Sequence, residues 1–180
     1  MNSQRNKFSI PAGVTYLNCA YMSPLLKSVE KAGIKGLQQK RNPFAITPQD
    51  FYTDGEILRN EFASLVNVRD PKRIAIVPSV SYGLAAVTRN IKLQAGDRVI
   101  VVAEQFPSNY YPWARLTAEA KAELCTVSPP ETFQARGKQW NERILDAINA
   151  RTRVVAIGNV HWADGTLFDL AQIRKRTRDV

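Results

Sequence analysis

The stretch Pro78-Ser79-Val80-Ser81-Tyr82-Gly83 places two hydroxyls in a bend between an apolar run, Ile74–Val77, and a helix-forming segment. Backbone amides at a helix start, joined by the Ser79 and Ser81 hydroxyls, can hold a phosphate. The same bend also reads as an ordinary connection in which Ser81 caps the helix and binds nothing. Neither G-x-x-x-x-G-K nor G-x-G-x-x-G occurs here, which excludes a nucleoside-triphosphatase loop and the dinucleotide fingerprint. Further on, "EQFPSNYYPWARL" (104–116) sets Phe106, Tyr110, Tyr111 and Trp113 at the end of a second apolar run. Aromatics in such a place can stack on a planar ring. Tyr110 and Trp113 are one helical turn apart and read as packing, whereas Phe106, directly ahead of Pro107, fits either use. A third cluster, Asn159, His161, Trp162 and Asp164, precedes Gly165 in "VVAIGNVHWADGTLFDL" (154–170). Asp164 can orient a ligand hydroxyl or cap the turn. His161, the sole histidine, has no Ser or Cys at triad spacing and reads as structural. No carboxylate pair or metal-ligand spacing is present, and Cys19 and Cys125 match no metal or redox motif.

The elements that must position these residues follow from periodicity. Four β-branched apolar runs recur, Ile74–Val77, Val99–Ala103, Leu124–Val127 and Val154–Ile157, each separated from the next by a helix-sized segment. Near-continuous apolar strands alternating with helices predict an α/β fold with a mainly parallel sheet covered on both faces. Ligands of such a sheet sit beyond the carboxyl ends of its strands, where all three clusters fall. Ahead of the first run, residues 1–15 read as an arm. "LLKSVEKAGIKGLQQK" has helical spacing in Leu26, Val29, Ile34 and Leu37. Thr53 and Glu56 have capping-box spacing before Leu58, Phe62, Leu65 and Val66, which predicts an amphipathic helix starting near 53.

The chain has 180 residues, enough for one domain with a real core, and its hydrophobic fraction of 44% argues for a folded protein. No apolar run approaches the ~20 residues of a membrane helix, and the N-terminus has no signal-peptide pattern. Two isolated thiols fit a reducing, cytoplasmic setting. The net charge of +9 is scattered, with one concentration in "RKRTRD" (174–179) at the end of an expected helix. Charge without interleaved aromatics argues against a nucleic-acid-binding face.

Taken in order, these segments resemble the class V aminotransferase-like enzymes that depend on pyridoxal phosphate, a group including cysteine desulfurases, selenocysteine lyases and kynureninases. The resemblance runs from about Thr15 to Val180. "TYLNCAYMSP" (15–24) is similar to the segment those enzymes lay across the substrate side of the active site, implying substrate contacts at Asn18 and Ala20. "PSVSYGLAAV" is similar to the loop holding the cofactor phosphate, implying Val80 (through its backbone) and Ser81. Where desulfurases stack a histidine on the pyridine ring, this chain has Phe106, as kynureninase-like members do, and so leans away from the desulfurases. "VHWADGTLFDL" resembles the motif contacting the cofactor's phenolic oxygen or the substrate carboxylate, implying Asp164. The resemblance thus implies fold type I, pyridoxal 5'-phosphate as cofactor, an amino-acid substrate and a homodimer, with neither nucleic acid nor membrane as partner. The reaction would be transamination, removal of sulfur or selenium, or C–C cleavage.

Two parts of that machinery have no match in this chain: an aspartate in an Asp-x-x-Gln or Asp-x-x-His context for the pyridine nitrogen, and a Schiff-base lysine in a Ser-x-His-Lys-like motif. The expectation is an N-terminal half, with an arm and helix over 1–52 and the first half of the cofactor-binding large domain over 53–180, inactive by itself. The family's strand order, as read here, pairs the second run with the third and strips both neighbours from Ile74–Val77 and from Val154–Ile157. Residues 1–180 alone would then be marginally folded and aggregation-prone. The competing readings are a non-catalytic Rossmann-like nucleotide-binding module, for which Glu104 supplies the acidic strand end but "PSVSYG" lacks the glycines, and a basic interaction module.

Overall fold

The computed structural model describes residues 2–19 and 21–180. The chain divides into two compact units, Met1–Ile76 and Val77–Val180.

In the first unit, helix α1 spans Lys27–Gln39 and helix α2 spans Asp50–Leu65. The start of α2 differs from the sequence expectation. Gln49 is the N-cap and caps with no side chain, while Asp50, the first helical residue, bonds back across the preceding turn: its carboxylate accepts from the Thr47 backbone N–H at 2.7 Å and from its hydroxyl at 2.8 Å. Pro48 lies in the turn just ahead of the helix, where its missing N–H costs nothing. Thr53 lies inside the helix instead, its hydroxyl donating back to the Gln49 carbonyl at 3.0 Å. The run Ile74–Val77 forms no ladder among the described residues, and its Ile76 and Val77 side chains are exposed.

The second unit is a three-layer α/β structure. Strands β1 (Arg98–Val102), β2 (Glu123–Val127) and β3 (Thr152–Val155) form a parallel sheet of order β2-β1-β3. Helices α3 (Val80–Asn90), α4 (Tyr111–Ala120), α5 (Arg136–Ala147) and α6 (Leu170–Arg176) alternate with the strands. Three of the four expected strands are therefore present, and β2 lies on β1 as expected. The expectation that the fourth run loses both neighbours is corrected. Strand β3 pairs with β1 through Arg98↔Thr152, Val99↔Val154 and Ile100↔Val155. The physical reason lies in β1, whose Val99, Ile100, Val101 and Val102 are all 0% exposed. A strand apolar on both faces belongs at the centre of a covered sheet, leaving an edge for each neighbour.

The two faces of β1 build two cores. Ile100 and Val102 meet Val127, Trp140, Ile144, Ile148, Phe168 and Ile173 on the side of α5 and α6. Val99 and Val101 meet Trp113 and Ala156 on the side of α3 and α4, where Tyr110 also packs, as the one-turn spacing of Tyr110 and Trp113 predicts. Among the described residues no helix is long and apolar enough to cross a membrane.

Candidate functional site

Helix α3 starts at Ser79, whose extended backbone (φ −162, ψ 162) and hydroxyl make it the N-cap; Ser79 Oγ accepts from the Tyr82 N–H at 3.1 Å. The capping role that the sequence offered to Ser81 therefore belongs to Ser79. Val80 and Ser81 become the first two helical residues, where backbone N–H groups have no partner within the helix. Neither amide, nor the Ser81 hydroxyl, makes a hydrogen bond within the protein among the described residues. Ser81 lies on the wall of a cleft of about 420 Å³ shared with Ala85, Thr88, Pro107, Ser108 and Tyr111. That cleft brings the start of α3 beside the turn that follows Phe106.

The exit of β1 is an irregular segment held by side chains from the exit of β3. Glu104 adopts the left-handed conformation, φ 53. Trp162 Nε1 donates to the Glu104 carbonyl at 2.7 Å, and His161 Nε2 stands 3.2 Å from the Ala103 carbonyl oxygen. Asn109 Nδ2 donates to the Ala156 carbonyl at 3.3 Å, while its Oδ1 accepts from Trp113 Nε1 at 3.1 Å. Phe106 is 44% exposed at this exit and meets Trp162 edge-to-face, with centroids 5.4 Å apart and rings at 90°.

Asp164 faces a different set of groups. Its carboxylate accepts from Arg136 Nε at 3.0 Å and from the Thr166 N–H at 2.9 Å. Burial pushes this acid up, but the hydrogen bonds from Thr166 and Arg136 and the neighbouring His161 outweigh it and hold Asp164 down at about 2. His161 is 3% exposed, and its Nδ1 lies 3.2 Å from Asp164 Oδ1, out of line for a hydrogen bond. Arg136 also contacts the Trp140 face, 5.6 Å from the ring centroid. Sequence reasoning missed Arg136, which sits 28 residues before its partner with no local spacing to reveal it. It named Trp162 without giving it a task.

The two residues expected on the substrate side fall in the first unit. Asn18 is exposed, and its carbonyl accepts from the Tyr16 hydroxyl at 3.2 Å. Ala20 lies outside the described residues.

Residues 46–180 match the family model described as aminotransferase class-V. A cysteine desulfurase of Cronobacter sakazakii is 31% identical over 121 residues, which is 66% of this chain and 29% of that relative. Among solved structures, a mutant of C-DES with glycine covalently linked to its pyridoxal phosphate cofactor superposes with a TM-score of 0.79 at 20% identity, over 99% of this chain and 46% of that one. The cysteine desulfurase CsdA of Escherichia coli gives a TM-score of 0.76 at 19% identity, over 97% of this chain and 45% of that one. At these identities the likeness speaks to fold, which is that of the pyridoxal-phosphate-dependent fold type I enzymes. The chain spans less than half the length of each of these proteins.

Proposed function

This chain belongs to the class-V aminotransferase family, and we propose that its strand exits hold pyridoxal 5'-phosphate for chemistry on an amino acid. The observation carrying this reading is the start of α3, where the Val80 and Ser81 amides and the Ser81 hydroxyl are uncommitted, beside an exit of β1 that presents Phe106. The donor set suits a phosphate: two free amides at the positive end of an 11-residue helix and one hydroxyl. The planar face of Phe106 suits an aromatic heterocycle lying over the strand ends. When bound, pyridoxal phosphate supplies an electron sink for bonds at the amino acid's α-carbon.

The chain's own residues do the positioning. Ser81 and the helix amides anchor the anionic end, and Phe106 keeps water from one ring face. Asp164, ionised down to about pH 2, still has lone pairs beyond those given to Arg136 and Thr166 and can accept from the phenolic oxygen or orient the substrate. Asn18 and Ala20 would contact the amino acid. Cysteine or cystine is the substrate class to assay first, because the relative at 31% identity is a cysteine desulfurase. Transamination and C–C cleavage, toward which Phe106 leans, come second. The reading includes residues 53–180 as the first half of the cofactor domain, a cytoplasmic setting and a homodimer. Catalysis also requires the Schiff-base lysine and the pyridine-nitrogen aspartate of the resemblance, so the activity assay belongs to protein that carries both.

The test is equilibrium uptake of pyridoxal phosphate, followed by absorbance and by circular dichroism of the coenzyme. Ser81→Ala is expected to weaken uptake about tenfold, the loss of one hydrogen bond to a charged group. Uptake that is unchanged in Ser81→Ala, or absent from the unsubstituted protein, would overturn the reading.

A further inference from the structure

The loop after β3 lays two consecutive side chains on two consecutive carbonyls of the β1 exit. His161 Nε2 faces the Ala103 carbonyl at 3.2 Å, and Trp162 Nε1 donates to the Glu104 carbonyl at 2.7 Å. At the second of these residues the backbone makes its sharpest departure from strand geometry, with Glu104 at φ 53. A residue with a Cβ resists that region by roughly 1–2 kcal/mol and stays there only where its surroundings over-determine it. The surroundings here are specific. The loop carrying the two rings is braced by the His161 N–H to the Thr166 carbonyl at 2.8 Å and by the Gly165 N–H to the His161 carbonyl at 3.0 Å. The Asp164 carboxylate, anchored by Arg136, holds the Thr166 N–H from the other side.

Trp162 is 48% exposed, so burial alone does not place its indole. Its two fixed relations are the hydrogen bond to Glu104 and the edge contact with Phe106. Both act on the same short segment, one at the turn and one at the ring two residues later. We infer that His161 and Trp162 are positioning residues that lock the left-handed turn at Glu104 and so set the direction in which the Phe106 ring faces. The clamp itself is a property of the chain; only the coenzyme that Phe106 would face rests on the proposed function. A stacking residue turned away from its ring loses the contact altogether, which gives a two-ring clamp a purpose that a loose surface loop lacks.

The experiment combines amide hydrogen exchange of Phe106, Asn109 and Tyr110 with circular dichroism of added pyridoxal phosphate. Trp162→Phe keeps an aromatic edge and removes the N–H; exchange at these amides should speed up about three- to tenfold, and the coenzyme's circular dichroism should weaken. Trp162→His, which retains a ring N–H, should preserve protection to within about twofold. In the double variant Trp162→Phe with Glu104→Gly, glycine adopts the left-handed turn without a clamp, and protection should partly return. Unchanged exchange in Trp162→Phe, or no recovery on adding Glu104→Gly, overturns the inference. So does faster exchange with the bound coenzyme's circular dichroism unaltered. If Trp162→Phe does not fold, Glu104→Gly alone decides: with the clamp intact, protection should hold, and its loss overturns the inference. If exchange responds as expected while the unsubstituted protein takes up no coenzyme, the clamp stands and the proposed function falls.

Discussion

Ser79 and Ser81 differ by two positions and by almost everything that matters to their chemistry. Ser79 spends its hydroxyl on the Tyr82 amide, so Ser79→Ala should cost about 1 kcal/mol of stability, read as a lowered thermal midpoint. Ser81 donates to no group among the described residues, so its alanine variant should leave that midpoint in place and act on coenzyme uptake alone. The sequence showed two serines in a bend; only the φ and ψ of Ser79 reveal which one caps. Asp164 gives a second prediction at this scale. Its folded value of about 2 lies below the ordinary carboxylate range, so its contribution to stability is present above pH ~4 and is lost as pH falls towards 2. Asp164→Asn removes that contribution. It should lower stability at neutral pH and flatten the acid limb of a denaturation profile between pH ~5 and ~2, and an unaltered acid limb would count against the ion pair with Arg136. That pairing was illegible in sequence because it joins the start of α5 to the loop after β3.

At the scale of elements, β-branched runs announced the strands because β1 is buried on both faces and cannot tolerate polar residues. What the runs did not announce was order. Pairing depends on which strand has two apolar faces to share, and Val99–Val102 settle that in favour of β1 with β2 and β3 on its two sides. The run Ile74–Val77 is as β-branched as its counterparts yet forms no ladder, since propensity supplies no hydrogen-bond partner. The start of α2 was missed for a related reason. Thr53 and Glu56 have the spacing of a capping box, but so do Thr47 and Asp50 three residues apart, and Pro48 favours the earlier start. Asp50 is held below the ordinary carboxylate range by the Thr47 backbone N–H and then by its hydroxyl. Asp50→Ala should therefore reduce helix content at the N-terminal turn of α2, whereas Thr53→Ala should be nearly neutral. Amide exchange of residues 50–53 would separate the two.

For the molecule as a whole, burial is distributed unequally between the two units. In Met1–Ile76 only Ala63 is buried among the described residues, while Leu37, Phe44, Phe51 and Leu65 are 78% exposed or more. Each such side chain leaves about 2 kcal/mol of hydrophobic stabilisation unrealised. Helices of 13 and 16 residues are close to the length at which isolated helices are marginal in water, so α1 and α2 depend on whatever apolar contacts they make. In Val77–Val180, by contrast, two cores flank Val99–Val102, all of them fully buried. Exchange should therefore be graded: the amides of α1 and α2 should open with small free energies, near those of local fraying, while those of Val99–Val102 should exchange only with global unfolding. Denaturant dependence supplies the check, because sub-global opening of α1 and α2 should show a shallower slope than the opening that releases β1. A common slope and free energy for both sets would mean that the first unit is as firmly built as the second, contrary to its burial.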